Sequence, residues 1–248
     1  MTDTRKVVII SGGMGGVGRA TAEAFAREQY RIALLYRHSS EEEIAAMRHT
    51  LSGEHLFIPC DIGNTKEVAR AIDDILRTVG QIDVAVHAAV DPIERKRILD
   101  MDESVFRSQF EAGFFGAFNF FRPVAEIMKK QQVGTLIGIT SDTIDSPITF
   151  SRMGAYTVGK IALRGLLREL HREVSPSGVR VLAVAPGLMR TRLNSDLPEK
   201  FFEIAEGSQG STLMTPEEVA RTIVRLCKDT TIASGVSYFV HSENVFPL

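Results

Sequence analysis

Tyr156 and Lys160 stand four residues apart in Gly154-Ala155-Tyr156-Thr157-Val158-Gly159-Lys160, a stretch that reads as the opening of a helix. At that spacing two side chains share one helix face. A phenol titrates near pH 10, too weak an acid or base to work unaided at neutral pH. An ammonium beside it favours the phenolate and brings the proton within catalytic reach. The spacing alone recurs on ordinary surface helices. It gains meaning from a second group far upstream, Ser11-Gly12-Gly13-Met14-Gly15-Gly16-Val17-Gly18, which sets five glycines in seven positions between an apolar run and an Ala-rich stretch. Glycine permits positive φ and lets the backbone approach a ligand with no Cβ in the way. A helix that starts there turns free N–H groups and its positive dipole end toward a pyrophosphate. Both Gly13-x-Gly15-x-x-Gly18 and the wider Gly12-x-x-x-Gly16-x-Gly18 fit a dinucleotide site.

The end of the second strand selects the nucleotide. NAD sites place an Asp or Glu there for the ribose 2′-hydroxyl, whereas NADP sites place an Arg for the 2′-phosphate. Here the run is Leu34-Leu35-Tyr36-Arg37-His38-Ser39, with no carboxylate before Glu41. A carboxylate would repel the phosphate, and Arg37 can pair with it through a charge-assisted fork. The cofactor expected is NADP(H).

These residues need a scaffold, and the rest of the chain supplies one. Short β-branched runs at 6–11, 31–36, 55–59, 82–87, 135–140, 179–185 and 236–240 alternate with helical patterns at 16–28, 41–50, 65–79, 102–130, 154–174 and 216–228. Strands separated by helices of this length imply right-handed crossovers and a parallel α/β sheet covered on both faces. Pro123 is expected to kink or split the fourth helix. Residues 186–211 are poorly periodic and longer than an ordinary connection, which marks a lid near 188–213. With no internal repeat or linker, residues 1–248 read as a single domain.

Composition narrows the function further. The chain has 248 residues, 44% hydrophobic and 24% charged, close to a typical globular chain. A net charge of −2 leaves no basic excess for nucleic acid. No stretch approaches the roughly 20 apolar residues of a membrane span, and the early run Val7–Ile10 is too short for a signal-peptide core. Cys60 and Cys227 are far apart and form no metal-ligand pair, so no metal is expected. A cytoplasmic protein with two reduced thiols is the reading.

Taken in order, the motifs resemble the short-chain dehydrogenase/reductase family over essentially the whole chain. The matching pieces are Ser11-Gly12-x-x-x-Gly16-x-Gly18, Cys60-Asp61-Ile62, Ile139-Thr140-Ser141, Tyr156-x-x-x-Lys160, Pro186-Gly187 and Ala233-Ser234-Gly235. The resemblance implies a Rossmann-type, doubly wound parallel sheet of about seven strands. It implies a cofactor site built from residues 11–18 with Arg37, Asp61, Ile62, Ala88, Ala89, Tyr156, Lys160, Pro186, Gly187 and Thr191. Asp61 and Ile62 would flank the adenine, Lys160 would also bind the nicotinamide ribose, and Thr191 would touch the carboxamide. Within the family the nearest flavour is the 3-oxoacyl-thioester (acyl-carrier-protein) reductases.

Three departures stand out. The family's Asn-Asn-Ala-Gly is here His87-Ala88-Ala89-Val90, and His87 reads as a strand-end residue holding backbone groups. The Asn that holds a proton-relay water aligns with Gly113. The family's catalytic Ser falls at Thr143 by spacing from Tyr156, but at Ser141 by strand register with a two-residue insertion in the loop 142–153; register favours Ser141, because strand ends are fixed by pairing.

The expected function is NADP(H)-dependent reduction of a ketone, with a 3-oxoacyl thioester as one candidate, to a secondary alcohol by Ser141, Tyr156 and Lys160. The rivals are a catalytically weak NADP-binding regulatory or structural protein and an NAD-dependent alcohol dehydrogenase. The substrate would be a small carbonyl or alcohol, free or carrier-bound. Ile148, Phe150, Met153, Leu188, Met189, Leu193, Leu197, Phe201 and Phe202 would form an apolar wall, and Arg152, Arg190 and Arg192 would be solvated or receive a carrier's phosphate. Phe106, Phe110, Phe114 and Phe118, with Phe115 and Phe121 beside them, form an aromatic band. The strip Ala155, Ala162, Gly165, Leu166 and Leu170 lies on the next helix. The family pairs these two helices between subunits, which implies a homo-oligomer, a tetramer ahead of a dimer.

Overall fold

A computed structural model describes residues 5–145, 152–207, 213–240 and 243–248. The continuous apolar runs form a parallel sheet because each strand must be buried on both faces. All five residues of β1 (Val7–Ser11) are buried. With β2 (Arg31–Tyr36), β3 (Leu56–Pro59), β4 (Val84–His87), β5 (Gly134–Ile139), β6 (Val179–Ala185) and β7 (Val236–Phe239), it makes a parallel array in the order β3-β2-β1-β4-β5-β6-β7. An eighth strand, β8 (Val245–Pro247), pairs antiparallel with β7 at the edge. The sequence pattern implied about seven strands. β8 escapes it because its three residues are all exposed and carry no alternation.

Helices cover both faces. α3 (Thr65–Val79), α5 (Gly116–Gln131) and α6 (Gly154–Val174) bury Ile72, Ile75, Phe120, Phe121, Leu163 and Leu167 against one face. α1 (Gly16–Arg27), α2 (Glu41–Leu51) and α8 (Pro216–Lys228) bury Phe25, Met47, Val219 and Ile223 against the other. The strand order reverses between β1 and β4, where Ser11 is paired in register with His87. In an open α/β sheet the crevice beyond the strand ends at such a point is where ligands bind.

The stretch expected as one helix over 102–130 is divided into α4 (Glu103–Ser108), a π turn at Glu111–Phe115 and α5. The break lies at the π turn, while Pro123 sits inside the uninterrupted α5. Its cause is outside the helix: Asp91 Oδ2 accepts from the amides of Ala112 (2.8 Å) and Gly113 (3.3 Å). The wider turn shows in the i→i−5 bond from Phe115 N–H to the Phe110 carbonyl, 2.9 Å. The described part of this stretch, 186–207, holds more regular structure than its composition suggests. It holds a bridge from Met189 to Met214, a 3₁₀ turn at Arg192–Asn194 and α7 (Glu199–Gly207).

Candidate active site

The glycine loop is shaped by contacts that admit no side chain at two positions. Gly12 has φ +66°, and a Cβ there would stand 2.6 Å from the Ala89 backbone. A Cβ on Gly18 would lie 2.2 Å from the Gly12 carbonyl oxygen. The loop is therefore a tight crossing of β1, the end of β4 and the first turn of α1. The N-cap of α1 is Gly15, which has no side chain to cap the helix, so the first-turn amides face outward. Gly15, Gly16, Val17 and Gly18 line a cavity of about 310 Å³. Pro186, Gly187 and Thr191 close over it from the other side, and a Cβ on Gly16 would be 3.3 Å from Thr191 Cγ2. The fold thus unites parts of the chain that are far apart in sequence.

Ser141, Tyr156 and Lys160 line the same cavity. Ser141 follows the end of β5, while Tyr156 and Lys160 lie on the first turns of α6. Ser141 Oγ accepts from the Thr143 hydroxyl at 3.0 Å and the Thr143 amide at 3.3 Å. With both acceptances filled by Thr143, the serine's own proton is left for the Tyr156 oxygen, with which it is hydrogen-bonded. Burial pushes the Tyr156 phenol up to about 12, and the Ser141 bond opposes that rise. Lys160 Nζ lies 5.6 Å from the Tyr156 ring centroid and donates to the Ile139 carbonyl at 2.7 Å. Burial brings Lys160 down to about 8. A half-buried phenol, a serine hydroxyl and a buried lysine whose titration is brought down to about 8 are together capable of moving a proton in a cavity that the glycine loop also lines.

Comparison with known proteins identifies the family. The family model described as enoyl-(acyl-carrier-protein) reductase, one of those of the short-chain dehydrogenases/reductases, matches residues 12–240. The chain belongs to the short-chain dehydrogenase/reductase family. It is 30% identical over 234 residues to the human 3-oxoacyl-[acyl-carrier-protein] reductase, covering 93% of this chain and 94% of that protein. Two solved structures show the same fold. The NADPH-dependent 3-quinuclidinone reductase of Rhodotorula rubra superposes with TM-score 0.85 at 23% identity, covering 96% and 90% of the two chains. A 3-ketoacyl-(acyl-carrier-protein) reductase of Brucella melitensis complexed with NADH gives 0.84 at 20% identity, covering 95% and 96%.

Within this reductase fold, the departures from the family pattern form one cluster. His87 is fully buried. Its Nδ1 is 2.8 Å from the Ser11 hydroxyl, and the backbone of Ala112 and Gly113 also acts on its ring, so it meets a side chain as well as the backbone groups expected of it. Its Nε2 has no hydrogen-bond partner. Burial, and then the charge of Lys160, push His87 down to about 3, so it is neutral at all ordinary pH. A Cβ at Gly113 would meet nothing within 4 Å, so packing does not demand glycine there. Asp91, which no motif picks out, is 8% exposed and holds the Ala112 and Gly113 amides.

The remaining residues of the expected cofactor site divide into two groups. Arg37 and Asp61 line a second cavity together with Lys66 and Glu111, and Arg37 makes no ion pair with any described residue. Lys66 carries no motif signature; only the fold brings it beside Arg37. Ser11 is fully buried under the loop, and Ile62 is buried in the core, where a Cβ on Gly116 would meet it at 2.5 Å. Gly13 presses on Leu34, Met14 uses its carbonyl to accept from Arg19 Nε at 2.9 Å, and Ala88 faces the main cavity.

The substrate end is apolar. Met153, Leu188, Met189, Leu193, Leu197 and Phe201 line the cavity, joined by Val90, Pro92 and Ile93. Phe202 is buried instead, with Arg190 stacked on its ring at 4.6 Å. Ile148, Phe150 and most of the loop expected to hold an insertion lie outside the described residues. Arg190 is paired with Glu199 at 2.6 Å, whereas Arg192 is exposed, lines the cavity and stands 4.0 Å from Glu43. Arg95, on the loop after β4, places its Nε 2.7 Å from Asp196 Oδ2, and its second nitrogen donates to Asn194 Oδ1 at 2.7 Å.

Proposed function

We propose that this chain is an NADP(H)-dependent ketone reductase with Tyr156 as proton donor, Ser141 as hydrogen bond to the carbonyl oxygen and Lys160 as the cation that eases proton transfer. The observation that carries the reading is that Ser141, Tyr156 and Lys160 line the same cavity as the uncapped α1 N-terminus. The residues present suit a dinucleotide: glycine at 12 and 18 lets β1, the end of β4 and the first turn of α1 cross closely, and the outward amides of α1 suit a pyrophosphate. Arg37 and Lys66 would hold the 2′-phosphate, and Thr191, Pro186 and Gly187 the nicotinamide end. The bound cofactor supplies the hydride.

The chain's own residues do the rest. Ser141 donates to the substrate oxygen, which polarises the carbonyl as negative charge develops on it. Tyr156 gives that oxygen its proton. Lys160 favours the phenolate left behind and lowers the cost of the transfer. The apolar wall excludes water and suits a ketone with a hydrocarbon body. The curated relative named a 3-oxoacyl reductase supports a 3-oxoacyl thioester as one such ketone. Residues 188–213 would act as a lid, and the chain would work as a homo-oligomer, a tetramer ahead of a dimer.

The test is a panel of 3-oxoacyl thioesters, cyclic ketones, diketones and quinones run with NADPH and with NADH. Steady NADPH oxidation that disappears in Tyr156→Phe is the expected result. No turnover with any carbonyl, together with tight NADPH binding, would favour the non-catalytic reading that His87, Val90 and Gly113 motivate. NADPH is expected to bind at least tenfold more tightly than NADH, about 1.4 kcal/mol. Arg37→Asp should erase that preference, and equal affinities in the unmutated protein would refute the assignment.

A further inference from the structure

One charged side chain in the cavity has no part in the proposed proton transfer. Asp142 directly follows Ser141 and lines the same cavity as Ser141, Thr143, Tyr156 and Gly187. Its backbone amide donates to the Pro186 carbonyl at 3.0 Å, and its Oδ2 stands 3.2 Å from where a Cβ on Gly187 would be. Both contacts hold this half-buried residue against the Pro186-Gly187 side of the cavity. Among the described residues that line the cavity, it is the one Asp or Glu. Much of the remaining wall is apolar, with Val90, Met153, Leu188, Leu193 and Phe201.

For the reduction of a carbonyl this carboxylate is a burden. Negative charge develops on the substrate oxygen and then on Tyr156, and a like charge in the same cavity opposes both. Asp142 acts on Tyr156 in that sense, raising it. The neighbouring cations are directed elsewhere. Lys160 Nζ is buried and donates to the Ile139 carbonyl, Arg95 is bonded to Asp196 and Asn194, and the exposed head of Arg192 lies 4.0 Å from Glu43. We infer that Asp142 is a specificity-determining residue: its carboxylate selects ketones that carry a positive charge beside the reacting carbonyl, ammonium ketones with a hydrocarbon body, over neutral and anionic ones. A bound cation would offset the negative charge that Asp142 brings to the cavity. The inference deepens the reductase reading and rests on it for turnover, though not for binding of the cation.

A purely structural Asp142, holding the segment after β5 in place, predicts something different. Asp142→Asn separates the two, because the amide keeps the size and can still hydrogen-bond while the charge is gone. The probes are matched cyclic ketones: the N,N-dimethyl-4-oxopiperidinium cation, its neutral isostere 4,4-dimethylcyclohexanone, and the anion 4-oxocyclohexanecarboxylate. Each is reduced with NADPH by the full-length protein, and kcat/KM is read as a ratio between ketones within one variant. Effects of the substitution on Tyr156 or on folding act on every ketone and cancel in that ratio. Calorimetry of the cation and the neutral ketone on the NADP⁺-loaded protein measures binding without turnover.

In the unmutated protein the cation should bind more tightly than its neutral isostere, and the anion should be the poorest substrate. Asp142→Asn should lower the cation-to-neutral ratio of kcat/KM about tenfold or more, the scale of one opposite charge lost from a half-buried site. Affinity for the cation should fall in parallel. Asp142→Glu, which keeps the charge, should hold the ratio nearer the unmutated value than Asn does. An unmoved ratio in Asp142→Asn overturns the inference. So does an unmutated protein that binds the neutral ketone as tightly as the cation, a comparison that needs no variant to fold. Should no ketone be reduced while Asp142→Asn still weakens binding of the cation, the recognition stands and the reductase reading falls.

Discussion

A serine that could have been a threonine shows how far one residue's role follows from neighbours rather than from spacing. Thr143 matches the family's spacing to Tyr156, yet its hydroxyl and amide both point at Ser141 Oγ, and Ser141 is the group hydrogen-bonded to Tyr156. Ser141→Ala is therefore expected to cut kcat about a hundredfold or more, the usual cost of an oxyanion donor. Thr143→Ala should cost less than about tenfold, since it orients the donor without being one; steady-state rates with intact NADPH binding decide between them. His87 gives a prediction with a sign. Its folded value is about 3 against an ordinary 6.5, so between those values the unfolded chain binds a proton that the folded chain refuses. Stability linked to His87 is complete above pH 6.5 and is lost as pH falls toward 3, by about 1.4 kcal/mol per unit. Urea unfolding of the unmutated protein and of His87→Asn at pH 7, 5.5 and 4.5 should show the variant losing less; parallel losses would refute the assignment. Tyr156, Lys160 and Ser141 were legible because they sit on regular elements whose ends the sequence marks. Asp91, Lys66 and Arg95 were not. Each lies in a polar stretch that reads as solvated surface, and only tertiary approach to Gly113, Arg37 or Asn194 gives it a partner.

Elements were more legible than the joints between them. The helices at 65–79, 154–174 and 216–228 have the limits read from the sequence; two of them have marked ends, since Asn64 and Thr215 accept N-cap bonds and Gly80 closes α3 in the left-handed conformation. The break in the 102–130 helix was expected at Pro123 and not at 111–115, since every residue in Glu111-Ala112-Gly113-Phe114-Phe115 suits a helix except Gly113, and the carboxylate that takes the π-turn amides, Asp91, is far away in sequence. Residues 186–211 carried too little periodicity to reveal α7, a nine-residue helix. One contact ties this segment to the loop after β4. Arg95, 17% exposed, bridges to Asp196 and Asn194, and both stretches line the cavity. Partial burial and two well-formed bonds place this strap toward the stronger end for an ion pair, about 1 kcal/mol. Arg95→Ala should raise KM for the ketone roughly fivefold with a smaller change in kcat, and should speed amide exchange at 192–198. Unchanged exchange there would show that the strap does not hold this segment.

On the scale of the molecule, the sheet explains where chemistry can occur and the helices explain what the chain does with its outer faces. The aromatic band expected on the fourth helix is split by its packing. Phe120 and Phe121 are fully buried, Phe106, Phe110 and Phe114 form an edge-linked series of half-buried rings, and Phe115 and Phe118 are 49% and 45% exposed. Ala155 is buried and so faces the core, but Ile161 is 45% exposed and Val158 38%, and the space beside Gly165 is open. Phe115, Phe118, Val158 and Ile161 therefore leave apolar side chains on the outer surfaces of α5, its preceding π turn and α6, which a monomer has no reason to keep in water. A two-fold axis would bury each patch against its own copy. Phe118→Asp with Ile161→Asp puts charges into that face while sparing the core, because both side chains are already exposed. We expect light scattering on the unmutated protein to give a mass of two or four times 27.3 kDa at micromolar concentration. The double variant should fall to a folded monomer with its helical circular-dichroism signal intact. A monomeric unmutated protein, or a variant whose mass does not change, would mean that this face is not where copies of the chain meet.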